Sequence, residues 1–156
     1  MKFLEKLTDW LAAAPLFILL VVFNIAVVMR YWLNQPLQWT EEIAGLLMVW
    51  IVMLGSIAAE RSNQHLAIPM LVDLLPEKAR AVVNAFVSAL SGLFLLYVSY
   101  AGYKLAIAAK IKITSVLRVS YFWIDIAVPI GFVIIALYLF AGAYKTLRAA
   151  FAGAKA

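Results

Sequence analysis

The sequence predicts an all-α integral membrane protein: four transmembrane helices, with a short interfacial amphipathic segment between the second and third. Three observations carry that fold class. Hydrophobic residues fill 67% of 156 positions and charged residues 13%, whereas a soluble domain averages about half apolar and about a quarter charged. No polar surface would be left to face water. Four long apolar runs, three of them free of charge between their end residues, have the length of roughly 17–25 residues that crosses a hydrocarbon core of about 30 Å. They lie at about 10–30, 42–60, 80–104 and 121–144 within one membrane domain, residues 1–156. Finally, the residues bounding these runs are aromatic or basic, as expected at a water–lipid interface.

The first run ends in Met29, Arg30, Tyr31 and Trp32, an aromatic-basic belt and not the small-residue end of a secretory signal, so it reads as a retained anchor. Asn34, Gln35 and Pro36 make a short turn, because proline cannot continue a helix. Thr40, Glu41 and Glu42 open the second run, where a hydroxyl caps free N–H groups and carboxylates meet the positive end of the helix dipole. Gly55 and Ala59 lie four apart, a small-residue seam suited to close approach of another helix. Beyond the hydrophilic stretch Glu60–Gln64, Pro69 and Pro76 bracket too few apolar residues to span, so an interfacial or re-entrant segment is expected there.

The third run carries Ser88 and Gly92, a second small-residue pair, and predicts a helix packed against other helices. It can continue through Lys104 to Lys112, whose long side chains snorkel outward. The last run begins with Tyr121, Phe122 and Trp123, ends at Tyr144 and Lys145, and is kinked by Pro129 and Gly131. Ala127 and Gly131 form a third close-packing pair.

The chemistry that the sequence excludes is as informative. There is no cysteine and one histidine, which removes thiolate catalysis, disulfides and Cys-based metal sites. No G-x-S-x-G, Gly-rich phosphate loop or H-E-x-x-H occurs, so no enzyme is predicted and no cofactor is expected in this chain. The formal charge of +5 comes from residues flanking apolar runs. That is an orientation signal and not a nucleic-acid patch. Asp125 is the one carboxylate inside an apolar run, near enough to the span edge to reach interfacial water or Arg118. With both termini on the cytoplasmic side, eight of the 13 Lys and Arg residues fall there, the distribution the positive-inside rule favours.

The ordered set Arg30-Tyr31, Pro36-Leu37, Trp39-Thr40-Glu41-Glu42, Trp50, Gly55, Arg61, His65, Leu71-Val72-Asp73, Leu75-Pro76 and Pro129-Ile130-Gly131 resembles the small, DctQ-like membrane subunit of tripartite ATP-independent periplasmic (TRAP) transporters. One departure is the loop Thr114 to Tyr121, which lacks the prolines of many relatives. The resemblance implies a non-catalytic subunit of the bacterial inner membrane that scaffolds a large elevator-type subunit. It also implies sodium coupling in that large subunit and uptake of an organic acid delivered by a periplasmic binding protein. The expected partners are those two proteins and phospholipid. Arg30, Trp39, Glu41, Glu42, Trp50, Gly55, Arg61 and His65 are the candidate structural or subunit-interface residues, with Arg30 and the Glu41–Glu42 pair expected to lock the hairpin or its seam with a partner. Lys104, Lys110, Lys112 and Arg118 are the candidate binding-protein docking residues. The alternative is a self-sufficient four-helix transporter acting as a homodimer, which would want a carboxylate deep within a span.

Overall fold

The computed structural model describes residues 2–61 and 76–152. Among the described residues five helices are present: α1 (Lys2–Tyr31), α2 (Thr40–Arg61), α3 (Glu77–Ala108), α4 (Phe122–Asp125) and α5 (Ala127–Ala152), with a 3-10 turn at Ala109–Ile111. Four segments of the described residues are long and apolar enough to cross a membrane: Ala13–Tyr31, Thr40–Arg61, Lys78–Ile111 and Phe122–Phe151. The expected interfacial segment and His65 lie outside the described residues.

The helices do not close into a ring. Among the described residues α1 packs on α2 alone, α2 packs on α5, and α5 packs most extensively on α3, while the short α4 bridges α2 and α3 near one end. The order across the described residues is therefore α1, α2, α5, α3, an open row with two broad apolar faces and no enclosed centre among them. Small side chains make this row tight. The α3 face toward α5 reads Ala81, Ala85, Gly92, Ser99 and Ala106, all buried, at spacings of four and then seven residues that keep to one helix face. Opposite them α5 buries Ala127, Ala136 and Ala143. A Cβ built on Gly92 would stand 2.9 Å from the tip of the Phe140 ring, and one on Gly131 2.7 Å from the Met53 sulfur. In a bilayer, where burying apolar surface between helices gains little over lipid, such close packing is a principal source of association.

The three small-residue seams thus have different fates. Gly92 admits Phe140 and Gly131 admits Met53, whereas a Cβ on Gly55 would meet nothing within 4 Å and Ala59 is exposed. That third seam is left facing outward.

The kink expected at Pro129 is displaced toward the N-terminus. The helix breaks at Ile126, and Pro129 sits in the first turn of α5. A proline ring clashes with the carbonyl four residues earlier and offers that carbonyl no N–H, which here is Asp125, the last residue of α4. The hydroxyl of buried Ser99 donates to the Pro129 carbonyl at 2.9 Å, tying α3 to the break. Asn24 donates to Leu20 O in its own helix at 2.7 Å.

Candidate functional site

The end of the molecule carrying the α1–α2 turn and the α3–α4 loop holds most of the candidate residues. Helix α1 finishes with Trp32 N–H donating to Val28 O and Gln35 N–H to Met29 O, and Asn34 takes φ 51°, a left-handed turn that asparagine tolerates. Thr40 does not cap the helix through its hydroxyl as expected. Its Oγ1 donates back to Leu37 O at 2.9 Å, while Ile43 N–H takes the Trp39 carbonyl. Thr40 is buried by this arrangement, which fixes where α2 begins and so where Glu42 points.

Glu42 reaches across to a segment more than seventy residues away. Val116 N–H donates to its Oε1 and Leu117 N–H to its Oε2, both at 2.8 Å, and the Thr114 hydroxyl and Ser115 N–H surround the same carboxylate. Two successive main-chain N–H groups converging on one anion is a favourable concavity for negative charge. The receiving loop is shaped by its own sequence. Thr114 N–H donates to Val119 O, Tyr121 N–H donates to Lys112 O, and Val119 N–H closes onto Thr114 Oγ1 at 3.0 Å. An antiparallel bridge joins Ile113 to Ser120, and Arg118 adopts φ 52° to reverse the chain. A second cross-link lies deeper, where Trp50 Nε1 donates to Trp123 O at 3.1 Å. Together these two contacts clamp α2 to the start of the last span.

Of the residues singled out from sequence, Glu42 and Trp50 share this clamp. Glu41 is exposed, and Arg30 lies 5.9 Å from the Tyr31 ring centroid. Among the described residues no ion pair joins Arg30 to Glu41 or Glu42. Trp39 is half-buried in the turn, Gly55 lies on the open seam, and Arg61 ends α2. Lys110, Lys112 and Arg118 are exposed around the clamped loop. Lys104 lies further down α3, its Nζ 4.5 Å from the Tyr100 ring centroid. Asp125 does not pair with Arg118 in the described structure. Sequence reasoning missed Thr114 and Ser99. The signal available for Ser99 was Pro129, which disturbs a helix that some neighbour must then help to satisfy.

No group of three or more metal-ligating residues occurs among the described residues. The geometry is that of a braced loop with exposed cations around it.

Residues 17–149 match the DctQ component of the tripartite ATP-independent periplasmic transporters. The chain is 32% identical over 130 residues to the sialic acid TRAP transporter permease protein SiaT of Haemophilus influenzae, a match covering 83% of this chain and 21% of that protein. It is 32% identical over 82 residues to a putative TRAP transporter small permease protein of the same species, 53% of this chain and 51% of the relative. It is also 27% identical over 132 residues to the sialic acid TRAP transporter small permease protein SiaQ of Vibrio cholerae, 83% of this chain and 75% of the relative. The matched stretch thus spans about a fifth of the first relative and about half of the second. With a family match over most of its length and four apolar helices to carry it, this multi-pass membrane chain belongs to the DctQ component of the TRAP transporters, a transporter component and not an enzyme.

Proposed function

We propose that this chain is the non-catalytic small permease subunit of a TRAP transporter, and that it braces a large elevator-type subunit during sodium-coupled uptake of an organic acid delivered by a periplasmic binding protein. The observation that carries the reading is the open row of helices. A row with no enclosed centre offers no route across the bilayer, but its broad faces suit lateral attachment to a larger membrane protein. Gly55 and Ala59, exposed on α2, supply a place for a partner helix to approach closely. The similarity to one stretch of a much longer permease chain supports the same partner. The names of two relatives specify sialic acid, which supports an organic acid as the cargo class. Phospholipid covers the apolar faces that the large subunit leaves free. The site is the bacterial inner membrane, with both termini cytoplasmic and the clamped loop periplasmic, the orientation favoured by the Lys and Arg distribution.

Co-expression with a large multi-span permease, followed by purification in mild detergent and reconstitution, tests this reading. The two chains are expected to co-purify, and sodium-dependent uptake is expected from the pair plus binding protein and not from this chain alone. Robust uptake by the purified chain alone would overturn the scaffold reading and favour a homodimeric transporter. An impermeant thiol reagent applied from the periplasm should label Ser115→Cys and spare Ser62→Cys; the reverse pattern overturns the orientation.

A further inference from the structure

Helix α2 lies inside the row, between α1 and α5, and its exposed residues are Glu41, Gly45, Met48, Val52, Gly55 and Ala59. They follow one another at steps of four, three, four, three and four residues. That alternation repeats every seven residues and keeps them all on one side of the helix. The rest of α2 is buried or half-buried, so the two broad faces of the row are not alike, and one of them presents this stripe. From Glu41 to Ala59 the stripe runs about 27 Å at 1.5 Å per residue, close to the thickness of a hydrocarbon core of about 30 Å.

The stripe differs in composition from the other outward surfaces. Outward positions of α3 carry Phe86, Leu93 and Tyr97, and those of α5 carry Val133 and Leu137. On α2 the corresponding surface holds two glycines and an alanine, and a Cβ at either glycine would have no neighbour within 4 Å among the described residues. Small residues within a span let the backbone of another helix come close, and the methionine among them adapts its shape to what it meets.

At the head of the stripe, two adjacent carboxylates have opposite circumstances. Glu42 is engaged by the loop at both oxygens. Glu41, in the first turn of α2, is exposed and has no side-chain partner among the described residues. A free carboxylate at the end of an apolar seam suits a helix that brings a cation to the same level. A second copy of this chain does not meet that condition. A two-fold axis along the membrane normal sets each residue level with its own counterpart and brings Glu41 against Glu41.

We propose that the α2 stripe receives one transmembrane helix of the large permease, which carries a Lys or Arg at its clamp-side end to pair with Glu41. The seven-residue alternation selects a left-handed crossing of about 20°, which keeps two helices in contact over their whole length. The proposal rests on the small-subunit reading above and assigns the surface, the crossing and the charge that this reading needs.

The test is photo-cross-linking in the co-purified complex of the two full chains. A diazirine-bearing amino acid is placed in turn at Met48, Val52 and Ala59, with Leu93 and Leu137 as outward controls, and the products are mapped by mass spectrometry. The α2 positions are expected to reach a single permease helix, at sites that move along it in step with α2, and the controls are expected to miss that helix. Glu41→Gln should weaken co-purification by roughly tenfold, the scale of one charge-assisted hydrogen bond, while the unfolding temperature of the isolated chain stays near wild type. Glu41→Arg should weaken it further, and changing the cation at the clamp-side end of the mapped helix to Glu should then recover it. Cross-links scattered over several permease helices, confined to a second copy of this chain, or absent from the α2 positions overturn the seam. Wild-type co-purification of Glu41→Gln, or no recovery on charge reversal, overturns the ion pair. Wild-type chains that fail to co-purify overturn the small-subunit reading itself.

Discussion

Glu42 shows how one side chain can hold two distant parts of a membrane protein in register. Both of its oxygens are occupied by main-chain donors at 2.8 Å, so the carboxylate cannot be replaced by its amide without loss. A glutamine keeps one acceptor and turns a donor toward an N–H group that also needs an acceptor. Glu42→Gln is expected to lower the unfolding temperature of the detergent-solubilised chain by several degrees, whereas Glu41→Gln, at an exposed position without such contacts, should change it little. Arg30→Gln should add independently to Glu42→Gln in the isolated chain, because the two side chains do not meet. Coupling that appears only with the large permease bound would place Arg30 in the seam between subunits. An unchanged unfolding temperature in Glu42→Gln would show that the loop holds without the carboxylate. The sequence made Glu42 legible as a charge needing a cause, yet it could not identify the partner. Main-chain N–H groups carry no sequence signature, and the loop that presents them lies more than seventy residues on.

At the scale of helices, the apolar runs and their aromatic boundaries were readable because hydrophobicity and length are summed over many residues. The arrangement of those helices was less so. Spacing such as Ser88–Gly92, Ala127–Gly131 or Gly55–Ala59 identifies a face fit for close packing and says nothing of which helix takes it. In the fold two of these seams are filled and one is open, and the difference predicts two kinds of mutant. Gly92→Leu forces a side chain into the space of the Phe140 ring, an overpacking that typically costs about 1–3 kcal/mol, and should destabilise the chain by itself. A Cβ at Gly55 has no neighbour within 4 Å among the described residues, so Gly55→Leu should leave the unfolding temperature near wild type while weakening co-purification with the large permease. Melting curves in detergent beside a pull-down with the permease separate the two effects. A Gly55→Leu chain that binds the permease normally would remove that seam from the interface. The break at Ile126 likewise followed from Pro129 in kind but not in position, because the freed carbonyl belongs to the residue four places earlier.

For the whole molecule, the open row, the clamp and the exposed cations form one consequence of the same topology. Four spans return both termini to one end and gather the α1–α2 turn and the α3–α4 loop at the other. There the clamp holds Lys110 and Arg118 outward on a braced loop. Cations presented on a fixed loop create a local field that a soluble acidic partner feels before contact, so their effect belongs chiefly to the association rate. Lys110→Glu with Arg118→Glu is therefore expected to slow transport most when binding protein is limiting and ionic strength is low. Saturating binding protein should restore most of the rate. Added salt should shrink the gap between mutant and wild type, since the Debye length falls from about 30 Å at 0.01 M to about 8 Å at physiological strength. Neither residue touches the clamp carboxylate through its side chain, so the unfolding temperature should stay close to wild type, which separates steering from damage to the scaffold. Uptake assays across binding-protein concentration at two salt levels decide the matter. A mutant whose dependence on binding protein matches wild type at low salt would leave these cations as interfacial anchors with no part in docking.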